Sequence, residues 1–348
     1  MPLYSLKIWI ILCLAFTILS CQGQDNRNDA SLQKPLVTQY PILVQRPHEQ
    51  ISQVVRMMFQ DSKGHIWFGA EGGAWKLTGQ SLVQMDGIKS ESGKRVTIKD
   101  ITEDKNGTIW LGHTDGISSV KGENVTNYYE SDGLISNDVW NICADTDGKI
   151  WIGTIEGACV FDGKTFKTIE LPLGVKDTTV GVSSEKMVNR IFQDKKGTLW
   201  ITSNAGLFSY SNNKVTDASK DVAFKTNFVG MGFEDKAGVI WIGSKEGLFA
   251  YKDGIPKKIT DNNIEIGKGI GSIAEDKDGN IWFVVNQHHL YTYDGNKLTE
   301  FIKSEDNIGP VVFQIFKDQT DRLWFVGFGG AFRLENGRFI NITKDGPW

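Results

Sequence analysis

Acidic residues in a spacing that could serve a metal ion occur in the stretch "DKDGNIWF", from Asp276 to Phe283. Calcium takes oxygen ligands, and two Asp residues around a Lys would supply some of them. A calcium loop, however, needs about six oxygen ligands with a late bidentate Glu, which this short stretch lacks. In a hairpin turn, by contrast, the Asp would accept backbone hydrogen bonds and the Gly would supply a left-handed conformation. We therefore predict a turn and no metal site.

The same stretch returns along the chain, and its repetition supports the turn. Each of seven Trp residues follows an Asp by six positions. A Gly precedes the Trp by three positions in six repeats, with Asp321 the exception, and follows it by six positions in six, with His288 the exception. The residues between Asp and Gly vary too much in type for a ligand set. The Asp–Trp pairs are Asp61–Trp67, Asp104–Trp110, Asp145–Trp151, Asp194–Trp200, Asp235–Trp241, Asp276–Trp282 and Asp318–Trp324.

Each repeat predicts four β-strands, which in the third are "WNICAD", "KIWIGT", "ACVFDG" and "FKTIEL". Four strands in a unit of about 42 residues are typical of a propeller blade. The Trp strand is apolar at three consecutive positions, which indicates that both faces of the sheet are covered. The sequence thus predicts an all-β fold, a seven-bladed β-propeller with four antiparallel strands per blade. It should occupy residues 37–348, with blades starting near residues 54, 97, 138, 187, 228, 269 and 311.

Two segments compete for the place that closes the ring. The C-terminal segment "RFINIT", Arg338 to Thr343, is predicted to form the outer strand of blade seven, and "YPILVQ", Tyr40 to Gln45, to lie beside it or pack nearby. Cys143 and Cys159 fall on the first and third strands of one blade. Their Cα atoms would be about 9–10 Å apart, too far for a disulfide, so free buried thiols are expected.

The N-terminus predicts export from the cytoplasm. In residues 1–20 one Lys precedes an apolar run, Ile8 to Leu19, that is too short to span a bilayer but suits a signal peptide. "ILSC", Ile18 to Cys21, resembles the lipobox of bacterial lipoproteins, which implies that Cys21 carries lipid. The alternatives are an ordinary signal peptide or an uncleaved anchor. Residues 21–36 are polar and predict a flexible tether. We expect an envelope protein, lipid-anchored on the periplasmic or cell-surface side.

The unit "ICADTDGKIWIGTIEGACVFDG", Ile142 to Gly163, resembles the two-component regulator propeller repeat, and the resemblance extends over residues 54 to about 343. It implies an extracytoplasmic sensor propeller, for which glycans are common ligands. No kinase, transmembrane or DNA-binding segment follows the repeats, so we expect no signalling output from this chain. The net charge of −4, without a basic block, argues against a nucleic-acid partner. Streptogramin lyases are related propellers, but their catalytic His and Glu have no matching positions here.

Residues that could form a site lie at the start of each first strand, which in propellers lines the central channel. Five positions before the repeat Asp stand Arg56, Lys99 and Trp140, and four before it stands Arg190. Their cationic and aromatic character suits a glycan or another anionic small molecule. His113 and His288 depart from the repeat and are expected at the rim. The insertion Pro172 to Lys186 should enter blade four on the same face, where long loops are often functional.

Binding without catalysis is the expected function, with no cofactor and no catalytic residues. The five His residues fall in no motif that pairs a base with a nucleophile. The ligand would be a glycan or other small molecule, or a membrane or periplasmic partner protein. One alternative is a lyase or hydrolase site at the channel mouth, and another is a scaffold subunit of a surface complex.

Overall fold

The computed structural model describes residues 49–219, 228–261, 263–302 and 309–348. They form seven four-stranded sheets, each made of four consecutive strands that pair in chain order. All of these pairings are antiparallel, as in the first sheet. A 3-10 turn at Glu130–Asp132 is the one helical element of the described residues. The prediction of a seven-bladed β-propeller with four antiparallel strands per blade is confirmed.

The first strand of each blade is innermost and the fourth is outermost. Blades one and two comprise β1 (Val55–Gln60), β2 (Ile66–Ala70), β3 (Gly73–Thr78), β4 (Ser81–Gln84), β5 (Ile98–Glu103), β6 (Ile109–His113), β7 (Gly116–Lys121) and β8 (Asn124–Tyr128). Blades three and four comprise β9 (Val139–Ala144), β10 (Ile150–Thr154), β11 (Gly157–Phe161), β12 (Phe166–Ile169), β13 (Val188–Gln193), β14 (Leu199–Ser203), β15 (Gly206–Ser211) and β16 (Lys214–Asp217). Blades five and six comprise β17 (Val229–Glu234), β18 (Ile240–Ser244), β19 (Gly247–Lys252), β20 (Ile255–Lys258), β21 (Ile270–Glu275), β22 (Ile281–Val285), β23 (His289–Tyr293) and β24 (Leu298–Phe301). Blade seven comprises β25 (Val311–Lys317), β26 (Leu323–Phe328), β27 (Gly330–Glu335) and β28 (Arg338–Ile342).

The repeat Asp organises the turn between the first and second strands. In all seven blades one carboxylate oxygen accepts a hydrogen bond from the Trp indole N–H at 2.8–3.1 Å. In Asp276 the other oxygen accepts from the backbone N–H groups of Asp278, at 2.9 Å, and Asn280, at 2.8 Å. These donors come from the turn itself, so the turn interpretation of "DKDGNIWF" is confirmed. Blade seven lacks the Gly, and Asp321 takes the left-handed conformation there with a φ of 64°.

Hydrophobic packing between adjacent blades forms the core. The second strand of blade three, "IWIGT", is buried along its whole length, as are its counterparts in blades one, two, four, five and six; in blade seven only the last residue, Phe328, is exposed. One core cluster joins Trp151 of blade three to Val188 and Ile201 of blade four. Gly153, two residues after Trp151, permits this approach because a Cβ there would lie 2.8 Å from Val188. The sequence pattern of Trp followed by Gly therefore reflects contact between blades.

The ring closes without an exchanged strand. The C-terminal strand β28 pairs with β27 and takes the regular outer place in blade seven, as predicted. Blades one and seven are joined by side chains, since Val55 and Phe68 share a core cluster with Trp324. Gln314 also bonds the main chain of Met58, accepting from its N–H at 2.7 Å and donating to its carbonyl at 3.2 Å. The competing segment, Tyr40 to Gln45, lies outside the described residues.

Several predictions about the N-terminus also fall outside that range: the signal peptide at 1–20, the lipid on Cys21, the tether at 21–36 and the start of the propeller at residue 37. Within the described residues, no helix is both long and apolar enough to cross a membrane. Cys143 and Cys159 are free, as expected; Cys159 is buried and Cys143 is half-buried.

Candidate functional site

A β-bulge lies at the start of the first strand in all seven blades. In β1 the pairing with β2 passes from Val55 directly to Met57, so Arg56 is left out of the ladder. The same shift occurs in the other six blades. A bulge re-aims the side chain of the extra residue. We call these residues the bulge ring: Arg56, Lys99, Trp140, Asn189, Gly230, Gly271 and Phe313. It lies on the upper face, opposite the Asp–Trp turns on the lower face.

Four consecutive members of the bulge ring form what we call the mouth arc: Phe313, Arg56, Lys99 and Trp140. The Arg56 guanidinium carbon lies 5.2 Å from the centre of the Phe313 ring. The Lys99 ammonium lies 3.7 Å from the centre of the Trp140 ring and binds the Asp138 carboxylate. Asp138 also accepts from the Trp140 indole N–H at 3.1 Å. The predicted residues Arg56, Lys99 and Trp140 are thus neighbours in space.

Positive charge is concentrated at the centre of the mouth arc. Burial lowers the pKa of Lys99; Asp138 counteracts this, while the nearby charge of Arg56 lowers the pKa further. Arg56 has a buried Nε without a hydrogen-bond acceptor among the described residues. Its one ion pair there, with Glu71, spans 3.9 Å and involves a half-exposed carboxylate. Two cations with one close carboxylate, Asp138, can attract an anion.

Trp140 is less open than the sequence suggested. The Lys99 ammonium lies over its ring, so one face of the indole is already occupied. Stacking on a sugar ring is left with the other face. The contact is a cation–π pair, which holds the ammonium at the channel mouth. Trp140 thus positions a charge as well as offering an apolar surface.

The opposite side of the bulge ring carries no bulky side chain. Gly230 and Gly271 are exposed there. Asn189 stands between them and the mouth arc and donates from its amide to the carbonyl of Val229 at 2.9 Å. Large cationic and aromatic groups therefore face two glycines, which makes the channel mouth asymmetric on a nearly symmetric scaffold.

Arg190 does not belong to the mouth arc. It stands one residue further along its strand than the bulge and lies in a central cavity lined by the first strands. Its NH1 donates to Asp100 at 3.4 Å, across two blades. The expectation that Arg190 joins Arg56, Lys99 and Trp140 at the mouth is wrong, because one step along a strand turns the side chain in another direction.

The prediction that His113 lies at the rim of the channel mouth is wrong as well. It ends strand β6 and is 0% exposed, with Nε2 2.9 Å from Ser118 Oγ. Burial lowers its pKa to about 3, so the ring is neutral at physiological pH. It is a core residue, not a rim residue. His288 is exposed in the turn between β22 and β23, which lies on the upper face as expected.

The insertion Pro172 to Lys186 lies across the upper face and is held there by polar contacts with blades four and five. Asp177 accepts from the Lys245 ammonium of blade five at 2.6 Å. Ser183 and Ser184 of the insertion accept from the Asn204 amide of blade four, each at 2.8 Å. The loop therefore reaches from blade three to blade five. It also exposes four apolar side chains, those of Leu173, Val175, Val180 and Val182.

Sequence reasoning missed that polar residues four positions before the repeat Asp join the blades. Asp100 accepts from the backbone N–H of Ile142 at 3.0 Å, and Asn141 from that of Ile191 at 2.6 Å. Ser272 does the same for Ile315 at 3.0 Å, and Gln314 does so at the closure of the ring. Innermost strands have unpaired backbone groups that need such partners. An acceptor at this position beside apolar flanks was the available signal.

Comparison with known proteins supports the repeat assignment. Residues 49–72, 133–156 and 265–287 match the family described as two component regulator propeller. These three segments are similar to two-component regulator propeller repeats. The resemblance seen in the sequence is thereby confirmed, and the three matches fall at the Asp–Trp turns of blades one, three and six. A comparison with curated proteins found no match.

Solved structures share the fold of this chain. The extracellular domain of a putative hybrid two component system from B. thetaiotaomicron is 22% identical with a TM-score of 0.65; the alignment covers 82% of this chain and 38% of that one. A second such domain from B. thetaiotaomicron is 19% identical with a TM-score of 0.61, covering 83% and 47%. This chain thus spans less than half the length of either domain. A virginiamycin B lyase from Staphylococcus aureus is 13% identical with a TM-score of 0.62, covering 80% and 93%.

Proposed function

We propose that this propeller is a ligand-binding module of the bacterial cell envelope, held at a membrane by lipid on Cys21 and without catalytic activity. The ligand is an anionic glycan, carboxylated or sulfated, that binds at the channel mouth on the upper face. The fold shared with extracellular domains of two component systems agrees with a location outside the cytoplasm.

The observation that carries the proposal is the mouth arc. Arg56 and Lys99 place two cations side by side at the channel mouth, and Phe313 and Trp140 flank them. Arg56 has donors left over, since its Nε finds no acceptor among the described residues. Guanidinium donors fit the planar oxygens of carboxylate and sulfate groups. The exposed Gly230 and Gly271 leave room on the other side of the ring for the rest of a sugar chain.

A lyase or hydrolase function finds less support. Of the four His residues in the described part of the chain, none lines the central cavity or belongs to the mouth arc. His65 binds the turn carboxylate of Asp61, and His113 is buried. His289 pairs with Glu300 on the outer strands, at 3.1 Å. Nucleophilic hydrolysis requires a general base held beside a nucleophile, and a lyase requires a general base within reach of the substrate proton.

A test of the proposal measures binding of chondroitin sulfate and oligogalacturonate fragments, with maltooligosaccharides as neutral controls. The acidic sugars should bind, and their affinity should fall as salt rises. Arg56→Gln should weaken binding at least about tenfold, a loss of about 1.4 kcal/mol. The matched control is Arg338→Gln, which removes the same charge from the exposed outer strand of blade seven.

Two results would contradict the proposal. Equal affinity for acidic and neutral sugars would exclude charge recognition. Equal losses in Arg56→Gln and Arg338→Gln would show that the overall charge of the protein matters, not the mouth arc. If instead a protein from the envelope binds and Leu173→Ser abolishes that binding, the scaffold function at the insertion loop replaces the glycan-binding function.

A further inference from the structure

The central cavity is a second concave feature, separate from the mouth arc. It has a volume of about 510 Å³ and is lined by the first strands from the level of Arg190 to the Asp–Trp turns of the lower face. Ligand cavities in proteins usually measure about 300–1,000 Å³. The volume therefore suits a small molecule, not a polymer. Charged groups line both ends of the cavity, with Arg190 and Asp100 at one end and side chains such as Lys195, Lys236 and Glu275 near the Asp–Trp turns at the other, and the walls between them are apolar.

Arg190 supplies the positive charge at the first of these ends. A guanidinium has five N–H donors. One of them reaches Asp100 at 3.4 Å, and Nε is buried without an acceptor among the described residues. The side chain is 31% exposed. Because Arg190 lines the cavity and makes one long hydrogen bond to Asp100, an edge of its guanidinium is left to bind a second anion.

Asp100 positions Arg190 while accepting one long hydrogen bond from its guanidinium. The carboxylate accepts from the backbone N–H groups of Ile101 and Ile142, both at 3.0 Å, and from the Asn141 amide. Because these neutral donors already satisfy Asp100, the guanidinium is only one of four partners. Burial raises the pKa of Asp100 above its usual value, and the charge of Arg190 offsets only part of that rise. The ion pair with Asp100 thus orients the guanidinium at the end of the cavity that lies farther from the lower face.

Aromatic side chains form much of the wall. Half-buried phenylalanines from four blades line the cavity, namely Phe59, Phe192, Phe233 and Phe316. Phe192 can lie back from the cavity because blade five has Gly232 where other blades carry Met or Ile. A Cβ on Gly232 would lie 2.2 Å from the Phe192 ring. The space beside Gly232 and the phenylalanine rings on several sides of the cavity favour a flat aromatic ligand.

We propose that the central cavity binds a small aromatic monocarboxylate, with its carboxylate on the Arg190 guanidinium and its ring among the phenylalanines. This site goes beyond the proposed glycan site and uses none of the mouth-arc residues. The two sites would lie on one channel, one at the upper face and the other between the centre and the lower face.

The experiment measures binding of phenylacetate and indole-3-acetate by calorimetry, with phenylacetamide as the neutral analogue. Both acids should bind, and the amide should bind at least about tenfold more weakly because it cannot form the ion pair. Arg190→Gln should lower the affinity for the acids at least about tenfold, whereas Arg56→Gln should leave it unchanged. If the acids follow Arg56 and not Arg190, they bind at the mouth arc and the cavity proposal is overturned while the proposed function stands.

A second variant keeps the test valid if Arg190→Gln perturbs the fold. Gly232→Ala leaves Arg190 intact but pushes the Phe192 ring into the cavity, and it should also lower the affinity at least about tenfold. Thermal unfolding of both variants provides the control for folding. Failure of the wild-type chain to bind either acid, or unchanged affinity in a folded Gly232→Ala variant, would overturn the proposal.

Discussion

Gln314 should contribute more to the stability of the ring than its single side chain suggests. It bonds both the N–H and the carbonyl of Met58 across the interface of blades seven and one. Met58 is 0% exposed, so Gln314→Leu leaves two buried backbone groups without these partners. An unsatisfied buried polar group costs about 1–3 kcal/mol. We expect the free energy of unfolding to fall by about 2–3 kcal/mol and the melting temperature by roughly 3–5 °C.

Location matters as much as magnitude in this prediction. Every other pair of neighbouring blades is joined covalently by the chain, whereas blades seven and one are held by non-covalent contacts, namely side chains and a few main-chain bonds such as that from Gly329 to the Gln53 carbonyl at 2.9 Å. The matched control is Ser272→Ala, which removes one hydrogen bond to Ile315 between blades six and seven and should cost about 1 kcal/mol. Urea denaturation measures both losses, and hydrogen exchange measures local opening of strand β1, Val55–Gln60.

Faster exchange in β1 should appear in Gln314→Leu and not in Ser272→Ala. The reasoning fails if Gln314→Leu changes the free energy of unfolding by less than about 0.5 kcal/mol, which is the ordinary effect of a surface substitution. It also fails if both variants accelerate exchange in β1 equally, since Gln314 would then have no special part in closing the ring.

Three further outcomes are expected. Burial raises the pKa of Asp318, but hydrogen bonds from Trp324, Thr320 and Arg322 outweigh it and hold the pKa below 3.8. This stabilisation is present above pH 3.8 and is lost as the pH falls through the lowered pKa. Asp318→Asn should therefore be destabilising in urea at pH 7, and the difference should shrink as the pH falls below 3.8. Burial lowers the pKa of His113 to about 3, against 6.5 in the unfolded chain, so protonation favours unfolding as the pH falls from 6.5 to 3. His113→Thr should therefore flatten the dependence of stability on pH in that window. An unchanged pH dependence would contradict the assignment of His113 as buried and neutral. Cys21→Ala should release the protein from membranes or trap its precursor, and fractionation identical to the wild type would contradict the lipid anchor.

The fold could be predicted from the sequence because it is repeated seven times. The Asp–Trp spacing records a hydrogen bond that is present in every blade, and the Gly after Trp151 records contact with Val188. The candidate site could be predicted only in part. A strand pattern places Arg56, Lys99 and Trp140 on one ring of positions, and the structure brings them together.

The errors at the site have a physical origin in the bulge. The position of Arg190 in the repeat predicts a place at the mouth, but a bulge separates the direction of its side chain from that of the preceding residue, Asn189. Nothing in a single sequence marks such a bulge, since Gly, Lys and Trp all occupy it. His113 is an exception in the repeat because three other blades carry Thr or Ser there and the rest carry Ala, Val or Gly. Its burial and its bond to Ser118 depend on packing that the sequence does not record.

The closure of the ring brings the described ends of the chain together. Glu49 accepts from the N–H of Lys344 through its carbonyl at 2.7 Å, and Gln50 bridges Thr343. A short linker could join these ends, and new ends could be opened in the loop between any two blades, because each sheet is made of strands from one contiguous segment. The propeller is therefore suited to circular permutation, and a permuted chain could carry its two ends beside any chosen blade.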